Sequence, residues 1–320
     1  MSTDHPSPTS PDPADPIRPS VIVLPAVSFA PPHDELGPWL ERLPIAGAYE
    51  VSGTDEPLYV TDPDGGVAVT TTGMGKVPAA ATVTALCATP SVDVTDAYWL
   101  SAGIAGAQPQ RAAIGSVFVA DAILDWDRKH RWDPDEVNDA SDENEEKSDD
   151  QIRTVEQLAY LPDRSLHEAD PDLVATAHDA ATAVALATDE TVRSYQDRYP
   201  TTPDHGPRVG VGPTVTSDEF WHGTALAREV DHLCASYGID PYVTTQMEDI
   251  ATATALARFD VADRHVSLRA VANYDRPAPG ESVHDSFEGI DASVALAAEN
   301  AALVGSMVVE RLLETGAIDR

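Results

Sequence analysis

Residues 70–88 read TTTGMGKVPAAATVTALCA. A threonine run suited to a strand breaks at Gly73-Met74-Gly75-Lys76. An alanine-rich stretch suited to a helix follows, with Pro78 tolerable in its first turn. Strand, glycine turn and helix in that order form the unit from which α/β sheets are built, and such turns often hold a phosphate. Two phosphate-binding patterns fail here. G-x-x-x-x-G-K-[ST] needs glycine where Thr70 stands and a hydroxyl where Val77 stands, and G-x-G-x-x-G needs glycine at Pro78. The turn reads either as a plain strand–helix connection or as a loop facing some other ligand.

The alternation continues on both sides. SVIVLPAV (20–27), GGVAVTTTG (65–73), DAYWLSAG (96–103), IGSVFVADAIL (114–124), PRVGVGP (207–213), DPYVTT (240–245) and RHVSLRAVAN (264–273) are short, β-branched apolar runs typical of buried strands. Between them, 76–88, 170–187, 218–236, 246–259 and about 286–314 carry apolar residues at helical spacing. This order predicts an α/β layer fold with a largely buried sheet. No internal repeat or linker divides the region from 20 to 320, which reads as one domain. Residues 1–19, rich in Pro, Ser, Thr and Asp, are expected to be a disordered tail. DPDEVNDASDENEEKSDD (133–150) has ten acids and one lysine, lacks the glycine and terminal glutamate of a calcium loop, and is expected to be a solvated, disordered insertion.

The chain carries 54 acidic against 20 basic residues, for a net charge of −34, and three of its bases are lysine. Such a surface repels nucleic-acid phosphates and anionic lipid. Its self-repulsion is relieved by concentrated salt, so the composition reads as adaptation to a high-salt cytosol. The two cysteines, Cys87 and Cys234, sit in apolar helical context and suggest buried inert thiols. No basic stretch precedes an apolar leader, and no segment approaches the ~20 apolar residues of a spanning helix, so a soluble cytoplasmic protein without membrane insertion is expected.

Five constellations could carry chemistry. The glycine turn is one. SAGIAG (101–106) is another, since residues without bulky side chains at a strand's C-terminal edge let a ligand approach the backbone, where open α/β sheets bind. TTQMED (244–249) is either a capping box, with Glu248 three residues after Thr245, or a carboxylate that accepts from a ligand's paired hydroxyls beside Met247. TSDEFW (216–221) is either a helix cap or a base-contacting loop using Asp218 and Phe220. Asn273-Tyr274-Asp275 at a strand end suits either a turn or general acid work on a leaving group. No G-x-S-x-G pattern and no H-E-x-x-H-like histidine spacing occurs, so neither a serine triad nor a metal is expected, and no cofactor.

Taken in order, these segments resemble the nucleoside phosphorylase and methylthioadenosine nucleosidase superfamily. The likeness lies in TTTGMGKVPAAAT, WLSAGIAGAQPQRAAIGSVFVAD, TSDEFW, TTQMEDIATATAL and LRAVANYD. SFAPPHDELGPWL, DEFWHG, TTQMED and NYDRPAPG are most similar to its purine nucleoside permease family, over roughly residues 20–315. The resemblance implies a three-layer α/β/α fold around a twisted mixed sheet, with a purine nucleoside over the strand ends. It also implies site roles. Met247 and Glu248 would hold the ribose, and Phe220 and Asp218 the base. Backbone at Gly73, Gly75, Ala102 and Gly103 would line the sugar and nucleophile side, and Asn273 and Asp275 would bond the leaving purine. Departures accompany it. Where phosphorylases use arginines for phosphate, near the first strand and before the Ala-Gly turn, PAVSFAPPHDELG and YWLSAGIAG have none. Glu35 could instead activate water, or be a surface helix carboxylate. Phosphate and water both stand as nucleophiles, a non-catalytic role in nucleoside transport or sensing is the alternative to an enzyme, and a homo-oligomer is implied by analogy.

Overall fold

The computed structural model describes residues 5–139, 154–161, 165–239, 241–287 and 289–318. Among them the strands are β1 (Val21–Leu24), β2 (Gly47–Tyr49), β3 (Leu58–Val60), β4 (Val67–Val69), β5 (Tyr98–Ala107), β6 (Val117–Val119) and β7 (Ala122–Asp125). They continue as β8 (Lys129–Arg131), β9 (Val155–Gln157), β10 (Leu166–Glu168), β11 (Val209–Val211), β12 (Thr214–Thr216), β13 (Thr244–Gln246) and β14 (His265–Tyr274). The helices are α1 (Gly37–Arg42), α2 (Lys76–Ala88), α3 (Pro134–Asp139), α4 (Pro171–Thr182), α5 (Glu190–Gln196), α6 (Thr224–Ser236), α7 (Asp249–Ala257), α8 (Val283–Ser286) and α9 (Asp291–Ile318).

One mixed sheet runs β10-β7-β12-β13-β5-β1-β4-β3-β2, with β14 joining β5 to β6 and β6 to β11, while β8 and β9 form a separate ribbon. All four residues of β1 are buried because the sheet is covered on both faces, and successive side chains alternate between two cores. Val21, Val23, Leu100 and Ala102 pack with Trp39 of α1, with α4 and with α9. Ile22, Leu24 and Trp99 pack with Val83 and Leu86 of α2 and Leu256 of α7. The fold is three-layered, as the nucleoside phosphorylase resemblance implies.

Gly305 lets α9 lie against α1, since a methyl there would stand 2.5 Å from a ring carbon of Trp39, itself wholly buried. Gly305→Ala is therefore expected to cost about 1–3 kcal/mol, the overpacking term outweighing the better helix propensity of alanine. Chemical denaturation measures it, and a neutral or stabilised variant would mean Trp39 yields freely.

β5 and β14 pair in parallel along almost their whole length. On the other side of β5, β1 stops at Ser101 and the antiparallel β13 begins only at Gly106. Between those points this edge of β5 has no strand partner, and the change of neighbour opens the crevice where α/β sheets take ligands.

Three expectations change. The described part of the N-terminal segment, residues 5–19, is laid along the body. Thr9 N–H donates to Ala48 O at 3.0 Å and Ile17 N–H to Ser91 O at 3.0 Å. The physical reason is Ile17, 3% exposed within the α2-side core. The acidic insertion begins as α3, and residues 140–153 lie outside the described residues. One helix, Asp291–Gly316, does have the length and hydropathy of a membrane span, contrary to the expectation that no segment approaches it. Most of its apolar window is buried, with Ala297, Ala302, Val304 and Val308 at 0% exposure. Cys234 is buried and Cys87 partly so, its thiol pushed up by burial to about 11.

Candidate functional site

The unpaired edge of β5 is occupied by a carboxylate. Glu35, carried by the β1–α1 connection, accepts from Ile104 N–H at 2.8 Å and from Ala26 N–H at 2.6 Å. It is 5% exposed. Burial raises its pKa, opposed by the nearby Arg269 guanidinium. Gly103 makes this possible, because a methyl there would stand 2.7 Å from Glu35 Oε2 and 3.0 Å from Arg269 Nη1.

Glu248, between β13 and α7, is the second buried carboxylate. Its Oε1 accepts from Gly75 N–H at 3.0 Å and its Oε2 lies 3.3 Å from Arg269 Nη2. Burial pushes it up to about 7 even with the guanidinium beside it. Arg269, on β14, is 3% exposed and donates through Nε and Nη2 to both oxygens of Asp249, the first residue of α7. Asp249 is wholly buried and also accepts from Ser267 Oγ. Burial works against its charge, yet Arg269 and these hydrogen bonds hold it below the usual carboxylate range.

Glu35, Glu248 and Arg269 face a cavity of about 400 Å³ whose wall also includes Met74, Met247, Phe220, His222, Asn273, Asp275 and Phe287. Phe29, Met74 and Phe220, among the most exposed large apolar side chains, all line it. An apolar mouth over convergent polar groups is the usual form of a small-molecule site. A wider cleft of about 730 Å³ lies between α2 and α7. There Lys76 is paired with Asp125 at 2.9 Å and with Asp127 at 2.6 Å, and Arg128, His167 and Arg258 share walls otherwise largely of alanine and aliphatic residues.

Several sequence-predicted residues meet at the cavity, and others do not. Glu35, Met247, Glu248, Phe220, Asn273 and Asp275 line it. Asp218 does not: its carboxylate accepts from Lys76 N–H at 2.8 Å and so caps α2 instead of reaching a base. Gly73, at φ +77, is a glycine because a methyl would meet Pro78 at 2.6 Å, and the Gly75 N–H serves Glu248, not a ligand. Ala102 is buried in the α9-side core. The four glycine and alanine positions thus hold the site's carboxylates or its packing, while Ile104, Ala105 and Gly106 provide the backbone wall. Asp275 receives Tyr242 Oη at 2.6 Å and Arg276 at 2.5 and 3.0 Å, which leaves it an acceptor. Asn273 donates one Nδ2 hydrogen to Phe287 O at 2.9 Å and has a second to offer. Phe220 meets Phe287 edge-on at 5.9 Å, and His222 Nε2 lies 2.7 Å from Ser286 Oγ.

Sequence reasoning missed Asp249, Arg269, His222 and Tyr242. A signal for Arg269 was present, since an arginine inside the apolar strand HVSLRAVAN demands a buried counter-charge.

The sequence model of the purine nucleoside permease family matches residues 18–316. The chain belongs to that family. A probable purine nucleoside permease of Schizosaccharomyces pombe is 31% identical over 230 residues, covering 65% of this chain and 64% of the relative. A purine nucleoside permease of Candida albicans is 27% identical over 304 residues, covering 88% of this chain and 72% of its own. The chain therefore spans about two thirds of the length of these permease relatives. In fold it resembles Helicobacter pylori futalosine hydrolase, with TM-score 0.56, 18% identity, and 92% and 98% of the two chains covered. It likewise resembles Neisseria meningitidis 5′-methylthioadenosine/S-adenosylhomocysteine nucleosidase bound to methylthio-immucillin-A, with TM-score 0.55, 18% identity, and 92% and 99% coverage. The mixed α/β architecture is thus one shared with these two solved structures.

Proposed function

We propose that this permease-family chain binds a purine nucleoside in the 400 Å³ cavity and cleaves its N-glycosidic bond. The observation that carries the reading is the placement of groups along β5. Glu35 stands over Gly103, and Asn273 stands over Gly106, whose methyl would lie 3.2 Å from Asn273 Oδ1. Three residues of strand separate them by about 10 Å, room for a sugar carbon between a nucleophile and a leaving base. Glu248 accepts from the ribose hydroxyls beside Met247, Phe220 and Phe287 offer ring faces to the purine, and Asn273 donates to it as the bond breaks. An oxocarbenium-like sugar gains from the two buried carboxylates. The family's permease name favours a second reading, binding without turnover in support of transport.

Purine release from inosine or adenosine tests the proposal, and saturable binding with no release would leave only the second reading. Glu248→Gln is expected to weaken nucleoside affinity by about tenfold or more, since a hydrogen bond to a charged acceptor contributes about 1.5–3 kcal/mol. Because Glu248 is ionised above about 7, wild-type affinity should rise as pH increases through that value, and the variant's should not. Equal affinities and equal pH profiles would make Glu248 only a structural acceptor.

A further inference from the structure

Arg269 is, among the described residues, the one lysine or arginine lining the cavity, and its charge is already matched. Nε and Nη2 form a two-pronged pair with Asp249, Nη2 also approaches Glu248, and Nη1 points at the Ile104 carbonyl at 3.4 Å. Asp249 is firmly placed, because it opens α7, where the helix dipole favours a carboxylate, and Ser267 donates to it from β14. Glu35, Glu248 and Asp249 together set three carboxylates against one guanidinium. Phosphate is held by cationic donors, of which bidentate arginine is the strongest. Here the fork that would hold it is filled from behind.

We propose, building on the nucleoside-cleaving reading above, that Asp249 is a positioning residue that reserves the nucleophile side of the cavity for water by keeping Arg269 from binding phosphate. The water oxygen bonds to C1′ as the C1′–N9 bond breaks, and the electron pair of that bond leaves on the purine. The water's proton passes to the Glu35 carboxylate and on to solvent, and the purine takes up a proton, giving free ribose and free base. Phosphate in place of water would give ribose 1-phosphate and the same base.

The test uses the full chain, inosine and inorganic phosphate. Wild type is expected to release hypoxanthine at a rate that phosphate does not change, to yield ribose alone, and to show no saturable phosphate binding by calorimetry. Asp249→Asn removes the competing charge. Phosphate binding should then appear, and the ratio of ribose 1-phosphate to ribose should rise at least about tenfold, the scale of one charged hydrogen bond. Phosphate-dependent ribose 1-phosphate from wild type, saturable phosphate binding by wild type, or a folded Asp249→Asn that still binds no phosphate would each overturn the proposal. The wild-type measurements can overturn it even if the variant does not fold. A chain that releases no base refutes the cleavage reading instead, and phosphate calorimetry on wild type and variant still decides whether Asp249 withholds Arg269.

Discussion

Glu35→Gln is expected to lower the rate of purine release by about 10²- to 10⁴-fold, the contribution typical of a positioned general base. The carboxylate is fixed by two backbone donors, Ala26 N–H and Ile104 N–H, one on each oxygen, which leaves its remaining lone pairs toward the cavity. A glutamine keeps the shape but removes the basic group. It also turns an amide N–H₂ against one of those donors, so a stability loss of about 1–3 kcal/mol accompanies it. The two effects separate in the kinetics: loss of the base lowers kcat with little change in KM, whereas a disordered site raises KM as well. Release within a few fold of wild type, in a variant confirmed as folded, would exclude Glu35 as the base.

Arg269→Met should be the most destabilising single change at the site. It leaves Asp249 fully buried, and Glu248 nearly so, without their shared cation. Stranding a buried charge in this way costs about 3–5 kcal/mol. The pH dependence gives the cause. In wild type the Asp249 carboxyl is held low by Arg269, so its contribution is present above the ordinary carboxylate range and is lost on acidification. In the variant burial, the largest influence on this carboxyl, is opposed only by Ser267 and His265 and shifts its pKa upward, so stability falls as pH increases toward the raised value. The deficit against wild type should therefore be small in mild acid and grow toward neutrality. Adding Asp249→Asn should recover much of it. A deficit under about 1 kcal/mol at neutral pH, by urea denaturation, would show that the cluster is not held by this pair.

Much of the site could be read before folding was considered. Glu248 and Asn273 each sit near the end of a strand-like run, where sheets that change neighbour take ligands, while Glu35, in the loop after the first strand, was legible only through the family resemblance. Direction was harder. Asp218 and Phe220 lie in one loop, yet Phe220 lines the cavity and Asp218 turns to cap α2. Nothing local separates the two residues, since either outcome satisfies a carboxylate. The helix read as 218–236 begins at Thr224, because Ser217–Gly223 folds as a loop with Ser217 Oγ bonded to Glu219 N–H. The glycines were read as making space for a ligand, and the space is taken by Glu35, Arg269 and Pro78.

From the sequence alone came the strand–helix alternation, the glycine turn, the order of motifs and the failure of both phosphate-binding glycine patterns, because these follow from periodicity, backbone freedom and spacing along the chain. Tertiary structure alone decided which charges meet. Arg269 and Asp249 are twenty positions apart, on a strand and at a helix start, and Glu35 lies far from both. Only the parallel pairing of β14 with β5, beside the gap that β1 leaves, brings all three together. Buried charges interact strongly over a few ångströms and scarcely register in sequence spacing, so the cavity's electrostatics emerge only on folding.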